Sequence, residues 1–114
     1  LSKTTGCPAV VCDRDHVVAV SGLTKKELLE KRVTPQLEEI IESRVNYAHT
    51  TKDQKKLQPV EGADRYAIAV SPIISSGDVS GAVIFLSGEI TVADETKIKL
   101  IQAAAMFLGK QLEE

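Results

Sequence analysis

Aromatic residues are scarce in this chain: two Phe, two Tyr and no Trp, 4% of 114 residues. Any core must therefore rest on Val, Ile, Leu and Ala. No apolar run approaches the roughly 20 residues that span a bilayer, and no charged segment leading into an apolar one opens the chain as a secretory leader would. A soluble, cytoplasmic protein is expected. Basic charge is not in excess either. Fourteen Lys and Arg face sixteen Asp and Glu, for a formal net charge of −2, the wrong sign for a nucleic-acid-binding module. The nearest basic cluster, Lys52, Lys55 and Lys56, contains Asp53 and reads as a solvated loop. Cysteine is limited to Cys7 and Cys12. Five apart in an extended segment, they point to opposite faces, so free thiols are expected rather than a disulfide.

The chain is long enough for one domain with its own core, and residues 1–6 read as the stub of an upstream helix or linker. Ala9–Cys12 and His16–Val20 are β-prone runs joined by the polar turn Asp13-Arg14-Asp15, which predicts a hairpin. Thr24 and Glu27 have capping-box spacing, and Leu23 and Leu28 have staple spacing, so a helix should run to about Arg32. Thr34-Pro35 opens a second helix with apolar positions Leu37, Ile40, Ile41 and Val45. The polar stretch Asn46–Asp64 reads as a lid-like segment, with Leu57–Val60 as a short edge strand. Tyr66–Val70 is a strand, continued after a kink by Pro72–Ile74, and Ser75–Asp78 is a turn. Ala82–Leu86 is apolar at every position, as in a strand covered on both faces. Thr91 and Asp94 open a long helix, about Val92–Leu112. Its stripe Ile98, Ile101, Ala105, Leu108, Leu112 suits packing on a sheet. A second stripe with Leu100, Ala103, Ala104 and Phe107 is surplus to that packing and predicts a helix–helix or subunit interface through Leu100, Ala104 and Phe107. The order implies an α+β fold, a mostly antiparallel sheet of about five strands with helices packed against it.

The residues that could carry chemistry are few. Cys7, Cys12, His16 and His49 are the soft metal ligands, but their spacing does not match structural zinc knuckles, so no metal is expected. Cys12 with His16 or His49 could form a nucleophile–base pair, yet Cys12 ends an apolar strand beside Asp13, which disfavours a thiolate. There is no G-x-S-x-G, no G-x-x-x-x-G-K-[ST] and no G-x-G-x-x-G. Ser21-Gly22 before a helix start could offer N–H groups to an anion, although capping alone accounts for it. Glu38-Glu39 and Glu113-Glu114 read as solvated charge, and His16 as a rim residue. No catalytic residue and no cofactor is expected. Ser21, Tyr47 and Ser71 are the candidate pocket-facing polar groups.

Three segments, VVCDRDHVVAVSG from Val10, SPIISSGDVSGAVIFLS from Ser71 and AAAMFLGKQLEE from Ala103, carry a resemblance. They resemble the GAF family, and within it the C-terminal domains of AbrB-like transcription regulators of endospore-forming bacteria. The resemblance implies a two-part regulator acting in the developing spore. DNA would be contacted only by an N-terminal swapped-hairpin domain that this sequence does not include. The GAF-like part would sense an unidentified small-molecule effector and help assemble a homo-oligomer, a dimer or tetramer, with no membrane partner. The Asn-Lys-Phe-Asp-Glu signature of cyclic-nucleotide-binding members is missing, and the three-cysteine set of GAF-type methionine sulfoxide reductases is incomplete. Two alternatives stand beside the sensor: a dimerisation module without ligand, and a thiol enzyme using Cys12.

Overall fold

The computed structural model describes residues 7–22 and 28–113. Strand β1 (Ala9–Cys12) and β2 (Val17–Ser21) form the expected hairpin. Helix α1 (Pro35–Ser43) follows, then a two-residue strand β3 (Tyr47–Ala48), the long strands β4 (Ala67–Ser75) and β5 (Asp78–Leu86), and helix α2 (Glu95–Leu112). The five strands make one antiparallel sheet in the order β2-β1-β5-β4-β3, so the all-apolar strand lies in the centre, as its composition requires. The α+β architecture is the one the sequence implies.

The sheet divides the core into two layers. On the α1 side, Val10, Cys12, Val17, Val70, Ala82, Ile84 and Leu86 meet Leu37 and Ile41. On the α2 side, Cys7, Ala9, Ile68, Val83 and Phe85 meet Ile101 and Ala105. Cys7 and Cys12 are both buried and lie on opposite faces of the sheet, as their odd spacing predicts. The β4–β5 register is irregular at two places, Ala67/Ala69 and Ile73/Ile74. A bulge between Ala67 and Ala69 puts the neighbours Ile68 and Ala69 on the α2 face together. The β4–β5 turn is a two-residue loop in which Ser76 and Gly77 both take positive φ (50° and 84°), the requirement of a type I′ hairpin.

Helix α1 starts where Thr34-Pro35 predicts. Thr34 Oγ1 accepts from Leu37 N–H at 3.2 Å and donates to Gln58 O at 2.6 Å, so one hydroxyl caps the helix and ties down the segment after β3. Thr34→Ala removes both bonds, including the part-buried link to Gln58 O. It is expected to cost about 1–2 kcal/mol, read as a lower urea midpoint with an unchanged slope.

Several expected boundaries shift. The capping box Thr24–Glu27 and the Leu23 half of the staple lie outside the described residues. The helix does not reach Arg32: Leu28 is helical, but Glu30 turns to φ 67° and Arg32 pairs with His16. Val17 on the sheet edge takes Glu30 N–H and Lys31 O as its partners, and satisfying that edge outweighs extending the helix. Val45 does not extend the α1 face and is 63% exposed, because Arg44 turns left-handed (φ 61°) and ends the helix. Leu57–Val60 is not a strand; Leu57 bridges Ala67 while Val60 bridges Val33, so the segment laces two elements together. Helix α2 begins after Asp94, whose carboxylate accepts Lys97 N–H, and Thr91 instead accepts the Tyr66 hydroxyl through its carbonyl. Strand β4 runs through Pro72 without ending. Pro72 lies past the end of β3, where the sheet edge needs no N–H from it.

Candidate functional site

The β1–β2 turn is built by one carboxylate. Asp13 Oδ1 accepts from Asp15 N–H at 2.8 Å and His16 N–H at 2.7 Å. Burial alone would raise the Asp13 carboxyl, but the His16 and Asp15 N–H groups outweigh it and hold it below the usual range. Asp13, Asp15 and His16 thereby bring three ligand-type atoms within 4.8 Å of one another on an exposed surface. The sequence reading placed His16 on the rim but did not group it with these carboxylates, although the D-x-D-H spacing carries that signal. The cysteines and His49 lie elsewhere. His49 is buried, with its ring 4.9 Å from that of Tyr66, and its Nδ1 has no partner among the described residues. Its backbone joins β4 to the start of α2: His49 N–H donates to Ile68 O and Ala93 N–H donates to His49 O, both at 2.8 Å.

Cys12 is a packing thiol. Burial pushes it from 9.0 to about 12; the Ala82 N–H pulls the other way and the Asp13 charge adds to the rise. At neutral pH the sulfur is protonated and is a poor nucleophile. The folded thiol ionises at higher pH than the unfolded one. Its contribution to stability is therefore complete below pH 9 and is lost as pH rises from 9 toward 12. Urea midpoints at about pH 8 and about pH 10.5 should fall more for the parent chain than for Cys12→Ala.

The three candidate polar groups do not form one pocket. Ser21 sits on edge strand β2, opposite Ala9 on the α2 face. Ser71, opposite Val83, shares that face but lies on β4, three strands away, roughly 14 Å at normal strand spacing. Tyr47 packs toward the α1 face, and its hydroxyl donates to Lys55 O at 3.4 Å. The side chains named above pack the layer between α1 and the sheet into one apolar cluster, and cavities open around the described residues. One of about 270 Å³ is bordered by Arg14, Asp15, Glu38 and Glu42. Another of about 570 Å³ is bordered by Asp13, His16, Val18 and Glu30. A third of about 440 Å³ contains Ser71, between β4 and α2. Ser71 is buried, and its Oγ donates to Asn46 Oδ1 at 2.7 Å.

On α2, Ile98, Ile101, Ala105 and Leu108 seat on the sheet together with Gly109, which the apolar stripe did not include. Leu112, expected in that stripe, is 61% exposed because the helix end runs past the sheet. Of the predicted interface residues, Leu100 is half-buried against the core, Ala104 is half-buried and Phe107 is 62% exposed beside Met106 at 66%.

Such a molecule is an α+β domain whose described polar groups mainly close turns, cap helices and border shallow clefts, the build of a regulatory or interaction module. The family described as "Stage V sporulation protein T C-terminal, transcription factor" matches residues 1–113, and the chain belongs to that family. It is similar to stage V sporulation protein T of Bacillus subtilis (strain 168), 35% identical over 116 residues. The match takes in 100% of this chain and 64% of the length of that relative. Among the described residues, no helix is long and apolar enough to cross a membrane.

Proposed function

We propose that this chain is the GAF-like regulatory part of a sporulation transcription regulator, sensing a small molecule and holding the protein as a homo-oligomer. DNA contact falls to an AbrB-like N-terminal domain, in keeping with the net charge of −2 here. The supporting observation is α2. Its sheet-facing side is satisfied, yet Phe107 stands 62% exposed on the stripe with half-buried Leu100 and Ala104, and Met106 and Leu112 are exposed on either side of that stripe. A second copy covering Leu100, Ala104 and Phe107 would bury it as a dimer or, with a further interface, a tetramer. An effector bound at a cleft between helix and sheet could then bias how the copies meet, through its differential affinity for the two arrangements.

A dimerisation module without ligand is the second reading, and the exposed Phe107 on α2 supports it equally. The thiol-enzyme reading is disfavoured by the buried, protonated Cys12. A thermal-shift screen of the chain against amino acids, nucleotides and small acids separates the two remaining readings. A ligand at 100 times its Kd adds about 2.7 kcal/mol, a shift of about 11 °C for a domain of this size. Silence across the panel, with mass in solution at a multiple of 12.3 kDa, would leave the structural module.

A further inference from the structure

The cleft beside Ser71 carries opposite charges that do not meet. It opens between α2 and the outer edge of β4, beyond the point where β3 stops. Arg44 and Lys110 line it as cations and Glu113 as a carboxylate. Among the described residues neither cation forms an ion pair with Glu113; Arg44 lies 4.0 Å from Asp78, and Lys110 has no ionic partner. Both ends are fixed by the same hairpin turn. Arg44 Nη1 donates to Gly77 O at 2.7 Å, and Glu113 Oε2 accepts Ser76 N–H at 2.9 Å. Arg44 Nη2 faces Asp78 at 4.0 Å, longer than a hydrogen bond, so guanidinium N–H groups, the Lys110 ammonium and the second Glu113 oxygen stay open to a ligand. Between them lies an apolar bed of Pro72, Ile74, Ala105 and Met106. The Asn46 amide spends its oxygen on Ser71, and its nitrogen has no partner among the described residues.

A plain anion does not suit this cleft well. Helices α1 and α2 both end at it, and the unpaired carbonyls of a helix C-terminus favour positive charge. Two cations are partly offset by those helix ends, by Glu113 and, at Arg44, by Asp78 at 4.0 Å. A ligand with both signs and a short apolar body answers all of these features. We infer that the cleft binds a free α-amino acid with an apolar side chain. Its carboxylate lies toward Arg44 and Lys110, its ammonium toward Glu113 and the helix end, and its side chain on Pro72, Ile74 and Met106. The inference rests on the sensor reading above and supplies it with a ligand class.

The test is a titration of the isotopically labelled chain, followed in amide nitrogen–proton spectra. The probes are L-leucine, 4-methylpentanoate, which lacks the ammonium, and L-leucinamide, which lacks the carboxylate. Leucine is expected to move the Ser71, Gln102 and Lys110 signals saturably, with each singly charged analogue at least tenfold weaker. Lys110→Gln and Glu113→Gln, both at exposed positions, should each weaken leucine at least fivefold with unchanged circular dichroism. Equal binding of leucine and 4-methylpentanoate would overturn the zwitterion assignment. So would no response to leucine, valine, methionine or phenylalanine. A ligand from the metabolite screen that moves signals elsewhere and ignores both substitutions would overturn this site while the sensor reading stands.

Discussion

Gly109→Ala is expected to lower the melting temperature of the chain by about 8 °C, against the normal order of helix propensities. In an exposed helix interior alanine is better than glycine by about 1 kcal/mol. Gly109 sits instead in the contact between α2 and β4. A Cβ built there would stand 2.2 Å from Ile74 O and 3.2 Å from Ile74 C, both backbone atoms of the sheet. A side chain could swing aside; a paired strand cannot. Either α2 lifts from the sheet and loosens Ile101 and Ala105, or β4 bends near its irregular register at Ile73 and Ile74. Overpacking of this kind costs about 1–3 kcal/mol or more. A backbone clash belongs at the upper end, leaving a net loss of about 2 kcal/mol after the propensity gain, at about 4 °C per kcal/mol. A melting curve for the variant at or above that of the parent would mean that α2 does not seat on β4 through Gly109. The same substitution should disturb the cleft, since Ile74 borders both it and the contact.

Gly109 also shows which parts of the molecule the sequence could not reveal. Within a helical run a glycine reads as a weak spot or an approaching end, and only the sheet beneath it explains the residue. Features set by neighbours in the chain were legible. Asp13-Arg14-Asp15 predicted its turn, Thr34-Pro35 a helix start, and the apolar run Ala82–Leu86 a central strand. Features set by partners distant in sequence were not. Tyr47–Ala48 is too short to show any alternation and exists because Val70 and Ala69 offer an edge. Leu57–Val60 has strand composition but bridges two different elements. Val45 has the right spacing for α1, but the helix has already ended in the left-handed turn at Arg44. The cleft is the strongest case. Ser71 is among the polar candidates, but Arg44, Asn46, Gln102, Lys110 and Glu113 come from the end of α1, the residue before β3, and the middle and end of α2. No motif links them, because they meet only through the β4–β5 turn and the pairing of its strands.

The two phenylalanines should respond to the same substitution in opposite ways. Phe85 lies in the central strand with 0% exposure, packed among Ile68, Val83 and Ile101 on the α2 face. Phe85→Ala removes a full ring from a layer that the sheet and helix cannot close over. It should cost about 3–5 kcal/mol, a fall of about 12 °C or more in melting temperature, whatever the protein concentration. Phe107 projects from α2 with 62% of its surface in water. Phe107→Ala leaves no cavity within the domain, and at high dilution its effect should stay within about 0.5 kcal/mol. Its loss should appear in assembly. If α2 is the subunit contact, the parent melts at a temperature that rises with concentration, as mass action requires when association stabilises the fold. Phe107→Ala would flatten that dependence, and its mass by light scattering would fall toward 12.3 kDa. A parent already at that mass at high concentration would remove the oligomer from the proposed function. A Phe107 variant assembled as firmly as the parent would instead move the contact off this stripe, leaving the exposed apolar edge of α2 free for another partner. Phe85 serves as the control for both outcomes, because a stability loss that ignores concentration belongs to the core and not to the interface.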